Sequence, residues 1–172
     1  MEETLINRVA NSGIITINLE EYYPTAEIKE LDIKQFLYLE LLLKEKEFRA
    51  ALKEYDWSQY SNSVVLCYCS TDAIVPVWAY MLISAYLKDI ASDVYLGNSS
   101  EYLNYHYKNL IDTLDIIPYQ DERVVIKGCS KRPVPAAAYA YLTYRLKDHV
   151  QSLMYGEPCS TVPIAKRPRK LT

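Results

Sequence analysis

One short phrase occurs three times in this chain of 172 residues and restricts what the chain can fold into. A Cys-Ser pair is followed within a few residues by Val-Pro, and the three copies begin at Cys69, Cys129 and Cys159. The first two copies continue in register, because residues 76–89 resemble residues 135–148. An apolar strand precedes each of these two cysteines, and an apolar helix follows each proline. The pattern predicts a duplicated strand-helix unit.

The order of elements along the chain predicts the class of fold. Apolar segments typical of strands, at 14–19, 63–68, 93–96 and 123–127, alternate with segments typical of helices, at 72–88, 98–114 and 134–153. Such alternation favours parallel strands joined by right-handed crossovers. We expect a three-layer α/β fold with a mainly parallel sheet of four to five strands and helices on both faces. One domain should cover residues 1–165, followed by a basic, disordered tail at 166–172.

A long helix is expected between the first two strands. Asp32 and Gln35 have the residue types and spacing of a capping box, which marks the start of a helix. Apolar residues then recur at helical spacing up to Tyr55. This periodicity predicts one helix over residues 33–55 that buries Leu37, Leu41, Phe48 and Leu52.

The charge and the hydropathy of the chain limit its partners. The formal charge is −3 and the sequence pI is about 5.5, which gives no general electrostatic attraction to nucleic acid or to a membrane. The first ten residues lack the apolar run of a signal peptide, and no apolar run has the length of a membrane span. We therefore expect a cytoplasmic protein whose four cysteines are thiols or metal ligands rather than disulfides.

Common catalytic motifs are missing from the sequence. Four glycines cannot make a dinucleotide fingerprint or a phosphate-binding loop at the positions they occupy, so no nucleotide cofactor is expected. There is no Gly-x-Ser-x-Gly motif, and only two histidines could act as bases. The sequence leaves open whether the chain is an enzyme.

The segment around Cys129 resembles the cysteine-loop-helix arrangement of rhodaneses and cysteine phosphatases. Backbone amides at the start of the next helix, together with Lys131, would lower the pKa of the Cys129 thiol and attract an anion. Pro135 stands where a phosphatase needs its arginine. Cys129 and Lys131 are therefore candidate catalytic residues of a persulfide carrier similar to a rhodanese.

A second interpretation gathers the cysteines into a metal site. In one sheet, the carboxyl ends of neighbouring parallel strands would bring together Cys69, Asp72, Cys129 and Cys159. Three thiolates and a carboxylate suit zinc, iron or part of an iron-sulfur cluster. Small cysteines placed in equivalent positions by the duplication, and serving only to pack, would give the same pattern.

A third interpretation is a protein-protein interaction module without catalytic activity. Seventeen tyrosines accompany only two phenylalanines, and tyrosine is enriched at interfaces. Tyr139, Tyr141 and Tyr144 could line such a surface, which favours a homodimer. Half-buried tyrosines on helix flanks would explain the composition equally well.

Three segments, residues 72–80, 125–129 and 152–163, carry a resemblance to a known family. They resemble an uncharacterised family of Bacteroidetes, domain of unknown function 2480, over nearly the whole of residues 11–166. Genes of that family often lie beside genes of the SUF iron-sulfur assembly system. The resemblance implies a role close to iron or sulfur handling, with SUF-type assembly proteins as partners, and it supplies no catalytic residues.

Overall fold

The computed structural model of the protein describes residues 13–128, 131–157 and 160–168. Contacts between Cα atoms divide the chain into two compact units. The first unit contains the residues up to Tyr23 and from Leu103 onward, and the second unit is Pro24–Tyr102. Each unit has its own sheet, so the chain is an α/β protein as predicted. Among the helices of the described ranges, a search finds none that could span a bilayer.

The described residues contain seven strands and four α-helices. The strands are β1 (Ile14–Ile17), β2 (Ile28–Asp32), β3 (Val64–Tyr68), β4 (Asp93–Leu96), β5 (Arg123–Ile126), β6 (Ser152–Glu157) and β7 (Ser160–Lys166). The helices are α1 (Glu45–Glu54), α2 (Val77–Leu87), α3 (Ser99–Thr113) and α4 (Ala136–Leu146).

The second unit is a parallel sheet whose strand order, β2-β3-β4, is also the order of the strands along the chain. Helix α1 connects β2 to β3, and α2 connects β3 to β4. Right-handed crossovers that advance in one direction place their helices on the same face of a sheet. In agreement, Phe48 of α1 and Ile83 of α2 are buried in one cluster with Val65 of β3.

The first unit has a similar arrangement with one more strand. Strands β1, β5 and β6 are parallel and follow chain order, and β7 pairs antiparallel with β6 at the edge. Tyr107 of α3 and Leu142 of α4 are buried in one cluster with Val124 of β5. The Tyr107 hydroxyl donates to the carbonyl oxygen of Leu19 at 3.0 Å, which satisfies this buried phenol.

The prediction of one sheet with four to five strands is wrong, because the described strands form two sheets of three and four strands. Local sequence patterns identify strands but do not specify their partners. Helices α1 and α2 lie on the same face of the second sheet, so these two do not supply the predicted helices on both faces. Tyr102, in the first turn of α3, covers the opposite face of β3 by packing with Val64 and Leu66.

The predicted helix over residues 33–55 is wrong in its first half. Asp32 does cap a helical turn, since its carboxylate accepts the amide two residues ahead at 3.0 Å, but this is a 3₁₀ turn of four residues. Leu39 and Glu40 then have φ angles of 50° and 59°, which a right-handed helix cannot accommodate. The α-helix begins only with α1. Leu41, predicted to be buried, is 61% exposed.

Helices α2 and α4 are shorter than predicted: a proline delays the start of each, and α4 also ends at Leu146, well before residue 153. Pro76 and Pro135 are the N-cap residues, with φ/ψ of −63°/145° and −62°/141°. Both helices have eleven residues. Val150 and Leu153, predicted on the fourth helix, are buried after it has ended, and Leu153 belongs to β6.

Some backbone hydrogen bonds recur in the two units at positions 59 residues apart. The amide of Asn62 donates to the carbonyl oxygen of Ile90 at 3.0 Å, and the amide of Asp121 donates to that of His149 at 2.8 Å. Asn62 and Asp121 also share positive φ angles, of 56° and 59°. The connection into the central strand therefore has the same backbone geometry in both units.

Strand β7 is followed by Arg167, which anchors the end of the described chain. Its guanidinium donates to the carbonyl oxygens of Val150 at 2.7 Å and His149 at 3.0 Å, and to the carboxylate of Asp121. The first two residues of the predicted tail thus belong to the first unit. Residues 169–172 of that tail lie outside the described residues.

Candidate functional site

Cys67 lies on β3 and faces the helices of the second unit. It is buried in the core of the second unit and serves as a packing residue. Burial raises the pKa of its thiol to about 12. Because the thiolate is the nucleophile and the metal ligand, Cys67 is chemically inert at neutral pH.

Cys69 stands directly after the carboxyl end of β3, as predicted, in a loop that hydrogen bonds hold in place. Its Sγ lies 3.4 Å from Thr71 Oγ1, and the Thr71 hydroxyl donates to the carbonyl oxygen of Glu40 at 2.8 Å. Ser70 donates to Asp32 twice, from its hydroxyl to Oδ2 at 2.5 Å and from its amide to Oδ1 at 3.2 Å. The loop after β3 is therefore tied to the end of β2.

The pKa of Asp32 is lowered by these contacts. Partial burial by itself raises the pKa of this carboxyl, but several interactions together outweigh the burial. They are hydrogen bonds from the Ser70 hydroxyl, the Lys34 amide and the Ser70 amide, and the positive charge of Lys34. Asp32 is thus ionised at neutral pH and serves as a clamp between two loops.

The proposed metal ligands are only partly within the described residues. Cys69 and Asp72 share the loop after β3, with Cys69 half-buried and Asp72 exposed. Cys129 and Cys159 lie outside the described residues. Within the described part of the chain, no group of three or more His, Cys, Asp and Glu side chains is placed to hold a metal ion.

The sheets separate the strands that lead to the three cysteines. Cys69 follows β3 of the second unit, whereas the residues before Cys129 and Cys159 end β5 and β6 of the first unit. The premise of one sheet edge shared by all three cysteines is therefore incorrect. In both described sheets, moreover, the parallel strands keep chain order, so neither has the reversal of strand order at which open α/β sheets form a ligand crevice.

The loop predicted to attract an anion holds a carboxylate of the protein itself. Glu20 Oε1 accepts hydrogen bonds from the backbone amides of Lys131 and Arg132, the latter at 2.9 Å. The Arg132 guanidinium lies 5.2 Å from the ring centroid of Tyr23. The Lys131 side chain is exposed. An external anion would have to displace Glu20 from these two amides, which argues against the rhodanese-like interpretation.

Sequence reasoning missed an open groove between α2 and β4 in the second unit. It has a volume of about 540 Å³, and its lining residues are Cys67, Val77, Tyr80, Met81, Ser84, Val94 and Leu96. A second hollow of about 260 Å³ shares Ser84 and Val94 with it and extends past Ala91 and Asp93. We call the two together the α2–β4 groove.

Large apolar side chains around the α2–β4 groove are exposed. Val77 is 75% exposed, Met81 66% and Leu96 58%, and Ile74, in the loop before α2, is 91% exposed. Monomeric proteins seldom expose several large apolar side chains together unless the surface binds something. This surface differs from the tyrosine surface predicted from the sequence, in which only Tyr144 is largely exposed.

The sequence did contain a signal for this groove. Helix α2 reads Val-Trp-Ala-Tyr-Met-Leu-Ile-Ser-Ala-Tyr-Leu and is apolar on every side. A helix of this kind needs cover on more than one face. The second unit buries Ala79, Ile83 and Leu87 along one face and leaves Val77 and Met81 on another.

Comparison with known protein families matches residues 3–167 to a family described as a protein of unknown function, DUF2480. Searches of curated proteins and of solved structures found no match. The family match covers nearly all of the chain and agrees with the resemblance drawn from the three sequence segments. The chain belongs to the DUF2480 family.

Proposed function

We propose that this protein is a non-enzymatic interaction module that binds a partner protein through the α2–β4 groove. The observation that carries the proposal is the exposure of Val77, Met81 and Leu96 around one open groove. Fully burying a side chain of this type is worth about 1.5–3 kcal/mol. A partner that covers all three would thus gain a substantial part of its binding free energy from them.

The chemistry of the larger hollow supports binding rather than catalysis. Its titratable lining residues are Cys67 and Tyr80. Burial raises the pKa of both, to about 12 for Cys67, and nearby Cys69 and Cys67 raise that of Tyr80 further. Both groups stay protonated at neutral pH and therefore offer neither a base nor a thiolate.

We further propose that the two units are copies of one ancestral unit, with the second inserted into the first. Three features at an offset of 59 residues support this: the paired hydrogen bonds of Asn62 and Asp121, the equal lengths of α2 and α4, and glycines with positive φ at Gly97 and Gly156. At this offset Cys69 corresponds to Gly128, so the Cys-Ser phrases are one residue out of register.

Photo-crosslinking in the organism that encodes the chain tests the interaction proposal. We would introduce p-benzoylphenylalanine at Met81, in the groove, and at Ala140, the exposed counterpart on α4. We expect a discrete adduct from position 81 that Leu96→Glu abolishes and Leu41→Glu preserves. Leu41 is a matched control because it is 61% exposed and does not line the groove. Equal adducts from both positions, or none, would reject the proposal.

A cysteine site is the second candidate, and the first unit supplies the observation that favours it. Strands β5 and β6 are parallel neighbours, and Lys127 Nζ and Glu157 Oε1, just before the two cysteines, lie 3.9 Å apart. We propose that Cys129 and Cys159 form a thiolate pair for zinc, iron or sulfur handling, with SUF-type assembly proteins as partners. Elemental analysis after anaerobic purification is the test, and metal bound equally by wild type and Cys129→Ser/Cys159→Ser would exclude this site.

A further inference from the structure

We infer that the α2–β4 groove accepts an extended segment of another protein, added antiparallel to β4, with small apolar side chains toward α2 and a basic residue at its carboxyl end. This inference rests on the proposed interaction function and specifies its partner. The first unit supplies the evidence, because β6, the counterpart of β4 in that unit, already pairs with an antiparallel strand of this kind.

That strand is β7, which pairs antiparallel with β6. Its Ala165 is opposite Leu153 and packs against the core of the first unit, and its Val162 is opposite Tyr155. At the offset of 59 residues, β6 corresponds to β4, so Leu153 corresponds to Val94. Strand β4 is the last strand of its described sheet, and an edge strand is a template for another strand.

The aromatic residues of the two units differ where the groove lies. In the first unit the rings of Tyr139 and Tyr155 pack edge to face, with centroids 5.7 Å apart. Their counterparts in the second unit are Tyr80 and Leu96, and both line the open groove. A leucine in place of Tyr155 leaves space that the side chains of an added strand can fill.

The basic end of the segment follows from Arg167. Its guanidinium binds the carbonyl oxygens of Val150 and His149, whose counterparts are Ala91 and Ile90. The smaller hollow of the groove lies there, and its lining includes Ala91, the exposed carboxylate of Asp93 and one basic residue, Lys88. The second unit has seven Lys and Arg against twelve Asp and Glu, a formal charge of −5. Charge complementarity therefore favours a basic segment as the occupant of the groove. A second copy of the chain, pairing through its own β4, would bring a unit that is equally acidic.

A labelled peptide with the sequence of residues 160–167, Ser-Thr-Val-Pro-Ile-Ala-Lys-Arg, is the probe. Fluorescence anisotropy with the full chain should give saturable binding, and reversing both charges of the peptide should weaken the binding by about tenfold or more. Leu96→Glu should abolish the binding, and Leu41→Glu should leave it unchanged. In ¹⁵N spectra, the amides of β4 should shift, whereas those of β6 from Leu153 to Tyr155, already next to β7, should not.

Equal binding of the charge-reversed peptide, or binding without a shift of the β4 amides, would overturn the inference. Absence of peptide binding, with a Leu96-dependent adduct from position 81 retained, would reject the extended segment and leave the proposed function standing. An adduct of twice the chain mass would assign the groove to a second copy and also reject the inference. Absence of both the adduct and peptide binding would reject the proposed function itself.

Discussion

Tyr155 packs edge to face against Tyr139, at a centroid distance of 5.7 Å, and its hydroxyl donates to the carbonyl oxygen of Gly128 at 3.1 Å. This ring fills the space between α4 and β6. A β-carbon at Gly128 would lie 2.6 Å from the Tyr155 ring, so the glycine is needed for this packing. In the second unit the corresponding residues are Leu96 and Cys69. The two units therefore differ in how they close the same space.

Leu96→Tyr should stabilise the Cys69→Gly variant, in which position 69, like its counterpart Gly128, has no β-carbon that would meet the new ring. The new ring can pack against Tyr80 as Tyr155 packs against Tyr139, which is worth about 0.5–1.5 kcal/mol beyond the area buried. Denaturant unfolding gives the change in the free energy of unfolding, with Leu41→Tyr as the control at an exposed position outside the groove. A double variant less stable than Cys69→Gly alone would contradict the assigned correspondence.

Asp32→Asn should destabilise the protein by about 1 kcal/mol at neutral pH, because the amide cannot replace the charge-assisted bond from Ser70. The pKa of Asp32 is lowered in the folded protein, so its contribution is present above the unfolded pKa of about 3.9 and is lost as the pH falls through the folded value. The difference from wild type should therefore disappear under acid conditions. Asp72→Asn, in the same loop, should change the stability by less than about 0.5 kcal/mol.

A variant that retains Cys67 as its single cysteine should resist alkylation by iodoacetamide. Its pKa of about 12 leaves very little thiolate at neutral pH, and burial blocks access to the sulfur. Unfolding in urea should restore the reactivity of an ordinary thiol. Mass spectrometry measures the extent of labelling, and rapid labelling of the folded chain would show that β3 is not packed as described.

Gly156→Ala should cost more stability than Gly13→Ala. Both glycines have positive φ, 122° and 60°, but a β-carbon at Gly156 would lie 2.6 Å from the backbone oxygen of Ser160, whereas nothing lies within 4 Å of one at Gly13. We expect a loss of about 1 kcal/mol at Gly13 from the φ angle alone and about 3 kcal/mol at Gly156. Thermal unfolding monitored by circular dichroism measures both, and equal losses would argue against the described pairing of Gly156 in β6 with Thr161 in β7.

Local signals in the sequence identified several elements correctly. The predicted helical segment at 98–114 corresponds to α3, where Asn98 and Glu101 form a reciprocal cap, with each side chain accepting the amide of the other residue at 3.0 and 2.9 Å. Such caps depend on residues close together in the chain. The leucine-rich run before α1 misled the prediction, because helical periodicity does not reveal that Leu39 and Glu40 adopt positive φ.

The division into two sheets could not be read from local patterns. Strand β1 pairs with β5, and Ile14 is aligned with Arg123 although the whole second unit intervenes in the sequence. The sequence of an apolar strand does not specify which of the two sheets the strand joins. The predicted cysteine site depended on this pairing. The exposed groove was missed although its signal is local, because α2 alone has more apolar residues than one sheet can cover.

Hydrogen exchange of the β4 backbone tests the central claim most directly. Exchange would be measured by mass spectrometry on the full chain alone and in complex with the protein cross-linked at position 81. If the partner occupies the α2–β4 groove as an added strand, exchange at residues 93–97 should slow by about tenfold or more, and exchange at Leu153–Tyr155, already next to β7, should stay the same. Unchanged exchange at residues 93–97 in the complex would contradict the account.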